Sequence, residues 1–518
     1  MDNAILLTVA GQFVAGTALA ALVFAGYRSI KRRSRVLGTI LALGILGRAI
    51  LGLTLFTIAY FELPIAETLQ MGGGFWTLAA DATLYYQYAL RVMEQGLLET
   101  NYRGYPSPFF LQVLAVWMWL LGVSPAVGMF LNICVYVATC VLIVRMYAPT
   151  NNWRHDLPCI VAISAYTFAP IAFIHATQIL KDDFFYLLIA VVCVSVLGLS
   201  KLLVYGDPRY RLWAILGGAT LAATLVGLSS IRWYFPVIVW GALACMCLLF
   251  AVRGRVTPLP RYLLGSGVIL LIMGVAAGAQ FDREALAPLG PGAESFGSSG
   301  SSLATVPSAL GTLAQSARMR FLQAAGDTNI VVSIRKEPQT TGAPSAGFQG
   351  PRTTTGASGV PTAAELQTEQ VARATPRGFA DHVRVAALGL AVVFVPISLL
   401  KAVSLVDFEG GRGLLPVADL DTIVFDAALL FLLIALWQRR HRLGDNLPFV
   451  TFVLVLSGVT MVLLGYVVTN YGTLIRMRPM IAVPLWVVVV ALSPRGRESL
   501  EPSPIKDEKA RWLPSSSR

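Results

Sequence analysis

The sequence predicts an all-α membrane protein that crosses the bilayer many times. Of its 518 residues, 56% are hydrophobic and only 13% are charged, whereas a soluble chain carries about a quarter charged residues. Apolar runs long enough for a membrane-spanning helix, about 18–20 residues, recur along the whole chain. Short clusters of Lys and Arg separate these runs, which is the pattern that sets helix orientation. We therefore expect a bundle of roughly 11–13 transmembrane helices.

Apolar runs and helix breakers divide the chain into four regions. We expect an N-terminal membrane bundle over 1–279, an external loop over 280–383, C-terminal membrane helices over 384–493 and a cytoplasmic tail over 494–518. The predicted helices lie near 5–27, 36–58, 108–122, 125–147, 159–175, 184–204, 212–228, 234–252, 262–279, 384–401, 422–438, 448–468 and 479–492. The first is expected to be a retained helix, because its basic residues follow the apolar run. Runs 108–122 and 384–401 are short or contain proline, which favours re-entrant or interfacial helices.

The long loop differs from the rest in composition. Residues 280–382 are dominated by Gly, Ser, Ala, Thr and Pro, and such a segment has few apolar side chains with which to form a core. A flexible lid over a site and an unstructured insertion both remain open. Its middle, 317–337, is compatible with a short helix followed by a strand.

The distribution of basic residues predicts which loops face outward. The net charge is +12, but the Lys and Arg clusters sit between apolar runs, so a nucleic-acid partner is not expected. With those clusters in the cytoplasm, four segments face outward: the loop 59–107, "HATQILKDD" at 175–183, "SSIRWY" at 229–234 and "TNYGTLIRMRP" at 469–479. The six cysteines lie in or beside apolar runs and are typical of small buried hydrophobic side chains.

The loop 59–107 contains the first candidate site residue. Asp81 precedes an amphipathic helical pattern, "DATLYYQYALRVMEQG", in which Tyr85 falls on the apolar face. A carboxylate at this place caps free N–H groups and meets the positive end of the helix dipole, so a simple helix cap is one interpretation. A catalytic carboxylate is the other.

A second group of charges is Lys181, Asp182 and Asp183, directly ahead of an apolar run. Capping and charge neutralisation at the interface would explain them. The predicted orientation of the helices, however, places these three charged residues on the same side of the membrane as Asp81. Two carboxylates on one face, near the depth of the membrane at which the dielectric constant falls, can serve as a general base and as an orienting or metal-binding partner. Asp182 is the stronger candidate for that role, and Asp183 for the cap.

Three arginines are also predicted on the outer side. Arg232 opens one apolar run, and Arg476 and Arg478 precede the last predicted helix. The positive-inside rule disfavours arginine there, and guanidinium groups hold phosphate by paired hydrogen bonds. Pairing with Asp419, Asp421 or lipid headgroups is the competing interpretation. The four histidines show no metal-ligand spacing, and "GGG" at 72–74 lacks the context of a phosphate-binding loop.

Several of these blocks resemble a known family. "DATLYYQYALRVMEQG" followed by "YPSPFFLQVLAVWMWLLGVSPAVGMFLN" is similar to the start of the GT-C membrane glycosyltransferases, which include protein-O-mannosyltransferase and aminoarabinose-transferase-like enzymes. "AYTFAPIAFIHATQILKDDFFYLLIAVVCVSVL" resembles the next block of that family, and "TNYGTLIRMRPMIAVPLWVVV" resembles the terminal block of bacterial polysaccharide-assembly membrane proteins. The chain departs from the pattern in its additional first helix, and no large C-terminal periplasmic domain is expected after its last predicted helix.

The resemblance implies an enzyme that moves a sugar from a polyprenyl-phosphate donor to a glycan, lipid or protein acceptor. It implies a bacterial cytoplasmic membrane location with the active site facing outward. Asp81 would be the general base of an inverting reaction, and Asp182 the second acidic position. Substrate or phosphate contacts would come from the remaining candidates, Tyr85, Arg103, Lys181, Arg232, Arg476 and Arg478. No organic cofactor is implied, and a divalent cation is left open.

Two other functions remain as alternatives. A polysaccharide polymerase or ligase of the O-antigen type would use the same phosphate-binding arginines with residues of the loop 280–382. A transporter or flippase is the third reading, but such proteins build their sites from charged or broken helices at mid-membrane, and the predicted polar residues gather at one face.

Overall fold

The computed structural model describes residues 3–79, 81–97, 107–147, 149, 153–205, 211–232, 235–253, 379–403, 415–440, 443–467 and 471–492. Almost all of the part of the chain that the structure describes is helical. Six of its helices are long and apolar enough to cross a membrane, which indicates an integral membrane protein. The predicted helix 262–279, the segment 317–337 and the tail 494–518 lie outside the described residues.

The chain divides into two compact units. The first unit contains the N-terminal helices, with these bounds: α1 (Asn3–Arg33), α2 (Arg35–Tyr60), α3 (Asp81–Gln95), α4 (Pro108–Leu121), α5 (Pro125–Tyr147), α6 (Trp153–Phe168), α7 (Pro170–His175), α8 (Asp182–Tyr205), α9 (Arg211–Ile231) and α10 (Phe235–Arg253). Two short strands, β1 (Gln70–Gly72) and β2 (Phe75–Trp76), pair antiparallel between α2 and α3.

Helix α2 shows how the apolar pattern directs packing. Ser34 ends α1 and begins α2 by accepting a hydrogen bond from the backbone N–H of Leu37, a standard N-cap. One stripe of α2 is buried and the opposite stripe is exposed, with these members: Leu43, Leu46, Ile50, Leu53, Thr57 and Tyr60. The heptad-like spacing of the exposed stripe places it along one face. In a spanning helix, that face meets lipid.

The helix predicted over 159–175 is broken. It forms α6 and α7 with a kink at Ala169, and the chain then continues without helix from 176 to 181 before α8 begins. Pro170 explains the kink, because proline has no N–H to donate to the carbonyl four residues earlier. Residues 176–180 are nevertheless all buried, so their backbone polar groups need partners inside the protein.

The second unit includes α11 (Phe379–Phe394), α12 (Ile397–Ala402) and α15 (Tyr471–Arg476). Two further helices, α13 (Leu415–Gln438) and α14 (Leu443–Val467), contribute residues to both units, and α16 (Arg478–Ala491) falls almost wholly in the first. The prediction of one helix over 384–401 is wrong in one detail, because Pro396 separates α11 from α12. In the second unit, α11 and α14 approach so closely at Gly389 and Gly465 that a side chain on Gly389 would clash with backbone.

Candidate functional site

In the first unit, a cluster of polar side chains joins the ends of four helices. Lys181, just ahead of α8, donates a hydrogen bond from Nζ to Oγ of Ser107 at 2.6 Å. Ser107 immediately precedes α4, and its hydroxyl donates in turn to the last carbonyl of α9, that of Ile231, at 3.3 Å. A lysine, a hydroxyl and a helix C-terminus are therefore held in one chain of hydrogen bonds.

Ser107 and Ser230 connect α4 and α9 in both directions. The hydroxyl of Ser230 accepts a hydrogen bond from the N–H of Phe109 at 2.9 Å, which satisfies a free donor at the start of α4. Ser107 has φ 64° and ψ 58°, a left-handed conformation that costs a non-glycine residue about 1–3 kcal/mol. The residue before a proline normally adopts an extended conformation, so the contacts of Ser107 must stabilise this arrangement.

Helix α3 contributes an aromatic ring to the cluster. The ammonium group of Lys181 lies 5.4 Å from the centroid of the Tyr85 ring, within the range of a cation–π interaction. Tyr85 is buried and packs edge-on against Phe110 at 5.5 Å between ring centroids. The face of α3 that bears Tyr85 is thus held against α4, as the amphipathic pattern predicted. Burial raises the pKa of the neighbouring Tyr86 hydroxyl above its ordinary value.

Asp81 is the first residue of α3 and is exposed. Residues four apart on a helix are neighbours, with about 5–6 Å between their Cβ atoms. Asp81 therefore lies one turn before Tyr85, whose ring contacts Lys181. Its place at the helix start also agrees with the capping interpretation, so the geometry is compatible with both roles.

Asp182 forms an ion pair with Arg232 at 3.1 Å, and the two side chains are only 13% and 10% exposed. The Arg232 guanidinium also lies 5.3 Å from the centroid of the Phe185 ring. Two of the predicted site residues thus come together with Lys181. The ion pair fixes the position of the Arg232 guanidinium, so the role that the structure supports for Asp182 is to orient that arginine. Asp183, predicted as the cap, is 6% exposed, and no described residue donates a hydrogen bond to its carboxylate.

Two side chains from neighbouring helices support the broken helix behind the cluster. The Arg48 guanidinium, on α2, donates to the carbonyls of Thr167 and Tyr166 at 3.1 and 3.2 Å. Asn132, on α5, donates to the carbonyls of Ala176 and Gln178 at 3.2 and 2.6 Å. The side chains thus supply hydrogen bonds to carbonyls at the kink and in the non-helical segment 176–181.

The remaining predicted residues lie elsewhere. Arg103 falls outside the described residues. Arg478 belongs to the second unit, where it donates to Asp421 at 3.2 Å and to the carbonyl of Val392 at 3.2 Å. The pairing with Asp421 that was the competing interpretation is therefore present for Arg478. Arg476 ends α15 and is half-buried. Among the described residues, no group of three His, Cys, Asp or Glu side chains is placed to hold a metal ion.

Sequence reasoning did not single out Arg48, Asn132, Ser107 or Ser230. A signal existed for Arg48, because a lone arginine in the middle of an apolar run is rare and carries a functional or structural role. No comparable signal existed for the serines and the asparagine, whose importance depends on which helices are neighbours. A scan against protein-family models, a search of curated proteins and a search of solved structures found no match for this chain.

Proposed function

We propose that the protein is a membrane glycosyltransferase that moves a sugar from a polyprenyl-phosphate donor to an acceptor hydroxyl at the membrane surface. The observation that carries the proposal is the cluster at the ends of α3, α4, α8 and α9. It combines a carboxylate at a helix start, a lysine over an aromatic ring and a buried arginine. The resemblance to GT-C enzymes supports the same assignment for Asp81 and Asp182.

The donor leaves as a polyprenyl phosphate, whose developing negative charge needs positive partners. Lys181 supplies a positive charge at the cluster, where its ammonium group donates to Ser107 and lies over the ring of Tyr85. Arg232 is charge-paired with Asp182, so its remaining N–H groups act as oriented dipoles more than as a free charge. In the proposal, Lys181 therefore provides most of the electrostatic attraction for the donor phosphate, and Arg232 orients that phosphate.

The chemical step is an inverting displacement at the anomeric carbon. Asp81 accepts the proton of the acceptor hydroxyl as the acceptor oxygen forms its bond to the anomeric carbon. The bond between that carbon and the phosphate oxygen breaks, and the electron pair leaves with the polyprenyl phosphate. No step passes through a metal or an organic cofactor.

The substitution Asp81→Asn tests this role and separates it from capping. Asp81 is the first residue of α3, so a purely structural carboxylate there interacts with the helix dipole, which is worth about 0.3–1 kcal/mol. Asp81→Asn would then cost about that much stability and leave the activity nearly unchanged. A general base contributes about 10²–10⁴-fold to the rate. We expect purified Asp81→Asn protein in liposomes to lose transfer by that factor, with a panel of polyprenyl-phosphate hexoses and pentoses as donors.

Glu94→Gln is the matched control, because Glu94 is an exposed carboxylate on the same helix. It should transfer at the wild-type rate. Lys181→Met should lower kcat as well as raise the KM for the donor, because Lys181 attracts the donor phosphate in the ground state and attracts it more strongly as the leaving charge develops. Wild-type transfer rates from folded Asp81→Asn protein would overturn the assignment of the base.

The broken helix favours one second candidate, a flippase of the same lipid-linked sugar. Transporters place discontinuous helices and buried charges at mid-membrane, and here Arg48 and the kink at Pro170 have that character. In the same liposomes, movement of donor between leaflets without any product of transfer would support this function over glycosyl transfer.

A further inference from the structure

The segment between α2 and α3 exposes an unusual number of large apolar side chains. Five of them are 38–67% exposed: Phe61, Leu63, Ile65, Leu69 and Met71. Loops on the water-exposed surface of a protein are normally polar. A concentrated apolar patch of this kind marks an interaction surface.

The segment folds back along α2 instead of extending away from its end. The indole N–H of Trp76, in β2, donates to the carbonyl of Leu55 at 2.9 Å. Leu55 lies five residues before the last residue of α2, Tyr60, so at 1.5 Å per residue the hairpin reaches about 7.5 Å back along the helix. Gly74 packs against Phe56 so closely that an added Cβ would lie 2.5 Å from the ring. The hairpin therefore lies beside the membrane-spanning helix, at the depth of its last turns.

Three backbone carbonyls of the segment accept hydrogen bonds from side chains of the segment or of its flank. The side-chain amide of Gln70 donates to the carbonyls of Leu63 and Ile65, both at 2.7 Å. The hydroxyl of Thr77 donates to the carbonyl of Leu69 at 3.2 Å. Lipid offers few hydrogen-bond donors, so internal satisfaction of carbonyls is what a non-helical segment needs at the edge of a bilayer.

We propose that residues 61–76, the hairpin segment, insert into the lipid boundary of the leaflet in which α2 ends. The occupant of the apolar patch is lipid, because the patch continues the exposed stripe of α2. Leu46, Ile50 and Leu53 on that stripe are 57–59% exposed, and Tyr60 ends it where the segment begins. The segment thus acts as a membrane anchor that sets the depth of α3, whose first residue, Asp81, follows Trp76 by five positions. The inference does not depend on the enzymatic activity.

Fluorescence quenching of single-cysteine variants tests the proposal. Phe61→Cys, Ile65→Cys and, as control, Glu94→Cys are made in protein whose six native cysteines are replaced by alanine, and each is labelled with an environment-sensitive fluorophore. The folded protein is reconstituted in phosphatidylcholine vesicles. The quenchers are bromine atoms on the acyl chains and iodide in the water.

Labels at positions 61 and 65 are expected to lose about half or more of their emission in brominated vesicles and little with iodide, because an interfacial segment sits about 5–10 Å into the headgroup and acyl boundary. The label at 94 should behave in the opposite way. Iodide quenching at 61 and 65 equal to that at 94 would overturn the proposal. Protection from both quenchers would overturn it too, since it would mean that protein covers the patch. Leu69→Cys provides an independent position should either variant fail to fold.

Discussion

Replacing Arg48 is the sharpest test of how the broken helix is held. Arg48 is 2% exposed in the middle of α2, and its guanidinium serves the two carbonyls at the end of α6. Pro170 has no N–H to donate to the carbonyl of Tyr166, four residues earlier, and Arg48 donates to that carbonyl instead. Arg48→Met keeps the length and apolar stem of the side chain while removing every donor, so it isolates the polar function.

The expected loss follows from the contacts. Each hydrogen bond from the charged guanidinium is worth about 1.5–3 kcal/mol. The bonds to Thr167 and Tyr166 are lost, together with a longer one, of 3.5 Å, to the carbonyl of Gly44. The cation lies 4.0 Å from the centroid of the Tyr136 ring, an interaction of about 2 kcal/mol when desolvated. Release of the desolvation cost of the guanidinium offsets part of this sum. Since Arg48 also attracts the buried carboxylate of Asp183, we expect a net destabilisation of about 3–5 kcal/mol.

Equilibrium unfolding in detergent micelles measures this change. Arg48→Lys keeps the charge but loses the planar fork, so it should fall between wild type and Arg48→Met. Arg35→Met is the matched control, because Arg35 lies on the same helix and is exposed; its effect should stay within about 0.5 kcal/mol. The double variant with Asp183→Asn should be more stable than the sum of the two single changes by about 1 kcal/mol. An Arg48→Met protein as stable as wild type would refute the reasoning.

Three further outcomes are expected in the same unfolding assay. Asn132→Leu removes two hydrogen bonds to the backbone of the extended segment and should cost about 2 kcal/mol. Gly74→Ala places a Cβ at a residue with φ 92° and against the ring of Phe56, so it should cost about 1–3 kcal/mol, and Phe56→Leu should recover only the steric part. Arg478→Gln leaves Asp421 charged and buried in the second unit and should cost about 3–5 kcal/mol, whereas adding Asp421→Asn should restore part of that loss.

Much of the helical framework was predictable because apolar runs report directly on burial in a membrane. The amphipathic helix at Asp81 and the spans α2, α5 and α8 were expected within a few residues of their observed bounds. The convergence of Lys181, Asp182 and Arg232 in one cluster agrees with the expectation that charge placement puts them on one side. The roles of these residues and of Asp81 remain predictions.

The contacts that could not be predicted from the sequence join residues that are far apart along the chain. Ser107 and Ile231 are 124 positions apart, and no local pattern identifies such a pair. The kink at Pro170 was visible as a proline within an apolar run, but its partner, Arg48, lies on a helix more than a hundred positions earlier. The glycines at 72–74 belong to the hairpin of β1 and β2. Its strands of three and two residues are too short to show the alternation of polar and apolar residues that identifies a strand in a sequence.

The support of the broken helix has a consequence for biosynthesis. The donors that satisfy its carbonyls belong to α2 and α5, which are both synthesised before α6, α7 and the extended segment. Domains and their parts generally assemble in the order in which the chain emerges. Arg48 and Asn132 can therefore be in position when the kinked segment leaves the insertion machinery, so that its free carbonyls need never face lipid. A circular permutation that moved α1–α5 behind α8 would expose that segment first, and the yield of inserted protein should fall even though every final contact is retained.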